Sequence, residues 1–267
     1  IGGMTGVMMA VPPVDFQVHN SLFLVAHFHN VIIGGVLFGY FAGIIYWFPK
    51  AFGFRLDEKW GKRAFYFWVT GFYCAFMPLY VLGLEGFVRR TNHYANTMYQ
   101  PYFIFAAMGV VLILFGIICQ IVQLVVSIKN RQALHDRTGD PWNGRTLEWS
   151  VASPAPLYNF AKLPIVTTLD QFWADKEHHS GEGHLHPKDI HYNAIHMPKN
   201  TPVGFIIAIF SGITGFALVW HMLIPGVIGL LGIIATVIAR TFSNDIDYYI
   251  DAETVKKTEL AHFRELV

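Results

Sequence analysis

Two histidines, His27 and His29, stand in the run Ala26-His27-Phe28-His29-Asn30, inside a long stretch without acidic or basic side chains other than histidine. An ionisable residue within an apolar segment of membrane length is costly and marks a functional position by default. Successive residues on an α-helix are about 100° apart, so the two imidazoles point roughly 200° apart. They cannot share one metal ion. Each can hold a different one, with the helix as a wall between two sites and Phe28 in that wall. Histidine is a usual axial ligand of haem iron, and a haem is flat enough to lie between helices. The competing reading is a pair of polar residues satisfied by neighbours in a bundle.

Gly34 follows His27 by seven residues, which places it on nearly the same helical face. Gly35, Gly39 and Gly43 recur every fourth residue and allow close approach by a helix or a ring. Upstream, Asp15 and His19 are four apart at the mouth of the same segment. They could bind a cation, or hydrogen-bond a haem propionate if one carboxyl is protonated. They could equally be ordinary helix-start residues, where aspartate is favoured. Arg89 and Arg90 suit carboxylates, which guanidinium binds bidentately. Their alternative is a pair snorkelling at a membrane interface. No nucleophile elbow, phosphate-cradling glycine loop or cysteine-pair metal site accompanies them.

These side chains need helices to hold them. Only 14% of the 267 residues are charged and 54% are hydrophobic, whereas a soluble domain is about 25% charged. The net charge of +1 argues against a nucleic-acid partner, which needs clustered Lys and Arg. Cys74 and Cys119 each lie in an apolar run and read as buried thiols, not a disulfide framework.

Four stretches exceed the roughly 18 residues of a membrane span: 19–49, 64–88, 101–128 and 203–239. The last is too long for one crossing, and Pro225-Gly226 is the expected turn within it. The expectation is an all-α, polytopic transmembrane helix bundle with five spans. Residues 1–128 carry three spans with the histidines, 129–202 form an irregular lobe, 203–242 a hairpin of two short spans, and 243–267 a polar tail expected to be helical. Basic residues crowd 50–63 and 129–145, so the lobe and the tail should face the cytoplasm under the positive-inside rule. Arg89 and Arg90 then fall on the opposite side, where a local anion would explain them. The lobe balances eight basic against eight acidic residues and holds a His-rich tract from His178 to His196. Such a tract can bind metal, but without regularly spaced cysteines or carboxylates a solvated loop is the simpler reading. The chain opens at Ile1 in a glycine-rich stretch, as a piece of a longer polypeptide would.

The run His19-Asn20-Ser21-Leu22-Phe23-Leu24-Val25-Ala26-His27-Phe28-His29-Asn30 closely resembles the tenth-helix motif of haem–copper oxidase subunit I. Gly139-Asp140-Pro141-Trp142-Asn143-Gly144-Arg145-Thr146-Leu147-Glu148-Trp149 resembles the family's cytoplasmic segment, and Phe87-Val88-Arg89-Arg90 and Ser153-Pro154-Ala155-Pro156-Leu157-Tyr158-Asn159-Phe160 match as well. The likeness runs over essentially the whole chain and is closest to the cytochrome bo-type, ubiquinol-oxidising branch.

The resemblance implies that His27 is the proximal ligand of the high-spin haem, where oxygen is reduced, and His29 an axial ligand of the low-spin haem. It implies that His19 and Asp15 lie near the high-spin haem propionates, and that Arg89 and Arg90 bind propionates. It implies haem b at the low-spin site, haem o at the high-spin site, copper at CuB, and ubiquinone. The implied setting is a proton-pumping quinol oxidase of the bacterial inner membrane, with subunits II, III and IV, ubiquinol, oxygen and lipid as partners. The copper ligands, the second low-spin histidine and the principal quinol site would lie on earlier helices, so this chain corresponds to about the last two-fifths of the subunit. Alone it would be inactive. The alternatives are a dihaem electron-transfer cytochrome, whose paired histidines would be 13 or 14 apart on a helix, a transporter with incidental histidines, or a cytochrome c oxidase subunit I.

Overall fold

The computed structural model describes residues 1–178 and 190–266, with side chains through residue 263. His179, His184 and His186 of the His-rich tract lie outside the described residues. The chain forms two compact units, one of Ile1–Pro156 with Thr167–His178, the other of Leu157–Val166 with the described residues after His178.

In the first unit, α1 (Gly2–Met9) and α2 (Pro12–Val18) precede α3 (Leu22–Val31), a π-helical turn (Ile32–Leu37) and α4 (Phe38–Phe52). Together α3, the π turn and α4 make one 31-residue apolar segment, Leu22–Phe52. Ser21 starts it: its Oγ accepts from Phe23 N at 3.1 Å and donates to Val18 O at 2.6 Å. An N-cap of this kind satisfies one of the amides that a helix leaves unpaired at its start. The span begins three residues later than expected, because His19 closes α2 instead of opening α3. Gly53, at φ 77°, ends the segment in the left-handed conformation.

Asp57 caps α5 (Glu58–Leu84), accepting from Trp60 N at 2.9 Å. Antiparallel to it runs α6 (Gln100–Lys129). The two cross where a Cβ on Gly109 would stand 2.2 Å from the backbone N of Ala75, so only glycine permits that approach. Gly83 does the same for the histidine helix, since a Cβ there would lie 2.0 Å from Phe23 N. The N-terminal turn of α3 is thereby pressed on the C-terminal end of α5. Val18, Phe23, Ala26 and Tyr80 form the small core at this junction, with Phe23 and Tyr80 edge to face at 4.9 Å. The described part of the 129–202 lobe includes α7 (Gln171–His178) in this unit.

The second unit contains α8 (Val203–Val219), α9 (Leu223–Thr241), a two-stranded antiparallel sheet of β1 (Ile195–Pro198) and β2 (Asp247–Ile250), and α10 (Ala252–Leu266). The turn between α8 and α9 is not at Pro225-Gly226 as expected. It lies at Trp220–Met222, with His221 at φ 56°, and Pro225 sits in the first turn of α9. Proline is tolerated there because the first four amides of a helix have no intrahelical acceptor. The tail is not helical throughout either: Tyr248, Tyr249 and Ile250 pair with β1, with His196 opposite Tyr249, before α10 begins. Aromatic and β-branched side chains favour that pairing. Within this unit Tyr158 donates to Glu259 Oε1 at 2.9 Å, and burial together with this carboxylate raises the phenol's pKa.

Leu22–Phe52, Glu58–Leu84, Thr97–Lys129 and Leu223–Thr241 are long and apolar enough to cross a membrane. At 17 residues α8 is about 25 Å long, the short end of the range for a span. Ile104, Val110, Leu114 and Ile121 on α6 stay exposed, an apolar surface suited to lipid or further protein.

Candidate functional site

The site is built on α3. His29 is half-buried, and its Nδ1 lies 2.7 Å from the carbonyl of Val25, one turn back on the same helix. A carbonyl only accepts, so Nδ1 carries the proton and Nε2 presents a bare lone pair. The ring stacks on Phe76 of α5 at 4.2 Å and 17°, and Phe28 tilts against it at 4.4 Å. Two aromatic rings and a carbonyl therefore fix its plane and tautomer. Such an outer partner is typical of histidines that ligate metals.

His27 points to a different element. Its Nδ1 is 2.9 Å from Thr5 Oγ1 on α1, and Thr5 Oγ1 is in turn 3.2 Å from the hydroxyl of Tyr80 on α5. Gly6 makes room for the ring, since a Cβ there would stand 3.0 Å from His27 Cε1. Thus His27 lies against α1 and His29 against α5. Between them Asn30 is buried and donates from Nδ2 to Ala26 O at 2.9 Å.

Gly34 does not lie beneath His27. Its nearest neighbour is Phe72 of α5, at 3.7 Å from an ideal Cβ, on the flank that His29 faces. The π turn, Ile32–Leu37, is the reason: its wider winding shifts the helical phase between His27 and Gly34. Gly35 and Gly39 have nothing within 4 Å of an ideal Cβ, so that glycine face is open in this chain.

At the other candidate positions, His19 Nδ1 is 3.4 Å from Asp15 Oδ1, one turn apart at the end of α2, with both side chains well exposed. Arg89 lies beside them through Asn20: its Nε donates to Asn20 Oδ1 at 3.0 Å, and its backbone N to Asn20 O at 2.9 Å. The strand-like pairing of Ser21 with Val88 completes this link between the start of α3 and the segment after α5. Arg90 adopts φ 66° and is exposed. His19, Asp15, Arg89 and Arg90 thus gather at the end of the helices where α3 begins. His27 stands further along α3.

Several participants carried no obvious sequence signal. Thr5 is 22 residues from His27 and Phe76 lies on another helix. A lone hydroxyl in the glycine-rich run Gly2-Gly3-Met4-Thr5-Gly6 was the one available hint. At the far end, Lys50 Nζ donates to the carbonyls of Gly139 at 2.7 Å and Ala152 at 3.2 Å, and also to that of Val151. Trp149 Nε1 donates to Tyr46 Oη at 3.0 Å and Trp142 Nε1 to Tyr46 O at 2.8 Å. These contacts clamp the segment resembling the family's cytoplasmic motif onto the last turns of α4.

The family described as Cytochrome C and Quinol oxidase polypeptide I matches residues 1–158, the stretch that contains every one of these side chains. The chain belongs to this family. Among its relatives as an oxidase polypeptide I are the ubiquinol oxidase subunit 1 of Acetobacter aceti, 56% identical over 100% of this chain and 40% of that one. A probable cytochrome c oxidase subunit 1 of Bradyrhizobium diazoefficiens is 52% identical over 99% and 40%. The cytochrome bo(3) ubiquinol oxidase subunit 1 of Buchnera aphidicola subsp. Acyrthosiphon pisum is 53% identical over 100% and 40%. The chain therefore spans about 40% of the length of the curated relatives it matches. An oxidase polypeptide I implies haem and copper. His29, held by a carbonyl with Nε2 bare, fits a haem-iron ligand. For copper, no group of three or more His, Cys, Asp or Glu that could hold an ion occurs among the described residues.

Proposed function

We propose that this chain is the haem-ligating C-terminal portion of subunit I of a bacterial, proton-translocating ubiquinol oxidase, set in the cytoplasmic membrane. The observation that carries the reading is the pair of imidazoles on α3, each held at Nδ1 by a different partner and packed on a different element. In this reading His29 Nε2 would hold the iron of a low-spin haem b, and His27 Nε2 that of a high-spin haem o. Bound there, the haems supply electron transfer and the binding and reduction of oxygen, with copper ligands and the principal quinol site on the remainder of the subunit.

The chain's own residues position and neutralise. Val25 O orients His29, and Phe28 and Phe76 exclude water from its ring. Arg89, steered by Asn20, and Arg90 would offer guanidinium groups to haem propionates, and the Asp15–His19 pair would face those of the high-spin haem. Subunits II, III and IV and lipid would cover the exposed faces of α6, α8 and α9.

Ubiquinol is the proposed donor because Asn20 stands where cytochrome c oxidases resembling this chain carry a magnesium-binding aspartate. Its one carbonyl oxygen already accepts from Arg89, and Mg²⁺ is usually held by carboxylates. Asn30, where cytochrome c oxidases usually have tyrosine, and the helical pair α8–α9 point the same way. The name of the Bradyrhizobium relative keeps cytochrome c as the second reading. Reduced-minus-oxidised and carbon-monoxide difference spectra of the complete oxidase test the haem assignment. Two haem components, one of them binding carbon monoxide, are expected. A single low-spin component would favour a dihaem cytochrome, and none a transporter.

A further inference from the structure

We infer that Thr5 and Tyr80 set the electron-donating strength of His27 through a shared hydroxyl, a role distinct from ligation itself; the inference rests on His27 being a haem ligand.

Thr5 Oγ1 has four polar neighbours: the carbonyls of Ile1 and Gly2, each at 3.1 Å, His27 Nδ1 at 2.9 Å and Tyr80 Oη at 3.2 Å. A threonine hydroxyl has one proton to give and two lone pairs to receive with. A ring that ligates iron through Nε2 carries its proton on Nδ1, so in this reading Thr5 Oγ1 accepts from His27 and gives its own proton to the carbonyl of Ile1 or Gly2. Both lone pairs are then left for the remaining neighbours, and each has a proton to offer: the Nδ1–H of His27 and the phenol of Tyr80. Each of the three protons, those of Thr5, His27 and Tyr80, then has an acceptor. The opposite choice, with Thr5 donating to Nδ1, moves the imidazole proton to Nε2, where it would block a metal. Ligation through Nε2 therefore requires the Nδ1–H tautomer of His27.

The consequence lies in the kind of acceptor. His29 donates to an amide carbonyl at 2.7 Å. His27 donates to a hydroxyl oxygen that Tyr80 already engages. A stronger acceptor at Nδ1 gives the imidazole more anionic character and makes Nε2 a better donor to iron. Tyr80 competes for the same oxygen, so it weakens the acceptor and holds His27 nearer neutral imidazole. The two histidines on one helix are thus tuned apart: His29 is the more strongly donating ligand and His27 the more weakly donating one. Tyr80 keeps its place by packing on Phe23 at 4.9 Å, and Gly6 leaves room for the His27 ring against α1.

The test is the iron–histidine stretching band of the reduced high-spin haem, read by resonance Raman on the intact purified oxidase. Thr5→Val removes the acceptor and should move the band to lower frequency. Tyr80→Phe removes the competitor and should move it higher, with the midpoint potential of that haem falling. Thr5→Ser should restore the parent band. Shifts of opposite sign in Thr5→Val and Tyr80→Phe are what a purely structural role would not produce. An unchanged band in both, or shifts in the same direction, overturns the inference. If Thr5→Val fails to assemble, Thr5→Ser and Tyr80→Phe still decide it. Survival of the carbon-monoxide-binding haem in His27→Ala would instead overturn the ligand assignment, a separate failure.

Discussion

Asn20 holds Arg89 by two hydrogen bonds, one from the guanidinium Nε to its side-chain oxygen at 3.0 Å and one from backbone to backbone at 2.9 Å. Asn20 itself sits at φ 57°, in the left-handed region that asparagine tolerates better than most residues. The residue just before the Ser21 cap of the histidine helix therefore aims the arginine. With Nε occupied by Asn20, the Nη groups are the part of the fork left to reach a carboxylate.

Arg89→Gln and Arg90→Gln should each lower the midpoint potential of the low-spin haem, since removing a positive charge disfavours the added electron. Loss of a charge-assisted partner is worth about 1.5–3 kcal/mol where the site is dry. Redox titration of membranes checks this, and an unchanged potential in both variants would return the pair to interfacial snorkelling. Asn20→Ala should produce part of the Arg89 effect without altering any charge.

His27→Ala should abolish the carbon-monoxide-binding component, whereas His29→Ala should remove the low-spin signal. The two rings lie against different helices, α1 and α5, so one substitution should not erase both components. Loss of the same spectral component in both variants would contradict the two-site arrangement.

Lys50→Met should lower the thermal stability of the complex. Three carbonyls lose their donor, and a buried acceptor left unsatisfied costs about 1–3 kcal/mol. Lys50→Arg should not rescue it, because a planar fork cannot replace a compact ammonium among converging carbonyls. Thermal inactivation measured by loss of the haem absorbance reads the effect; equal stability of Lys50→Met and the parent would refute it.

Cysteines introduced as Arg131→Cys and Asn92→Cys, both at exposed positions, report the topology. An impermeant maleimide should label the first in inside-out vesicles and the second in right-side-out vesicles. The reverse pattern would invert the assigned orientation.

Turnover should be rapid with a ubiquinol and negligible with reduced cytochrome c. Metal analysis of the complex should find no magnesium dependent on Asn20. Fast oxidation of cytochrome c, with a dinuclear copper centre in subunit II, would show the donor reading to be wrong.

The membrane character, the helical class and the opposed histidines were legible in the residues themselves. Apolar runs and the angle between residues two apart on a helix are local properties, read along the chain without knowing what packs where. The break at Trp220–Met222 escaped that reading, because Pro225 punctuates a helix start as readily as a turn. The face of Gly34 escaped it too, since a π turn changes the helical phase without any mark in composition. Tertiary structure alone decided the partners: Thr5 for His27, Phe76 for His29, Asn20 for Arg89, and the carbonyls of residues 139, 151 and 152 for Lys50. A hydrogen bond is specified by where two atoms meet in space. Those meetings depend on glycines such as Gly83 and Gly109, which let helices distant in sequence approach to backbone contact.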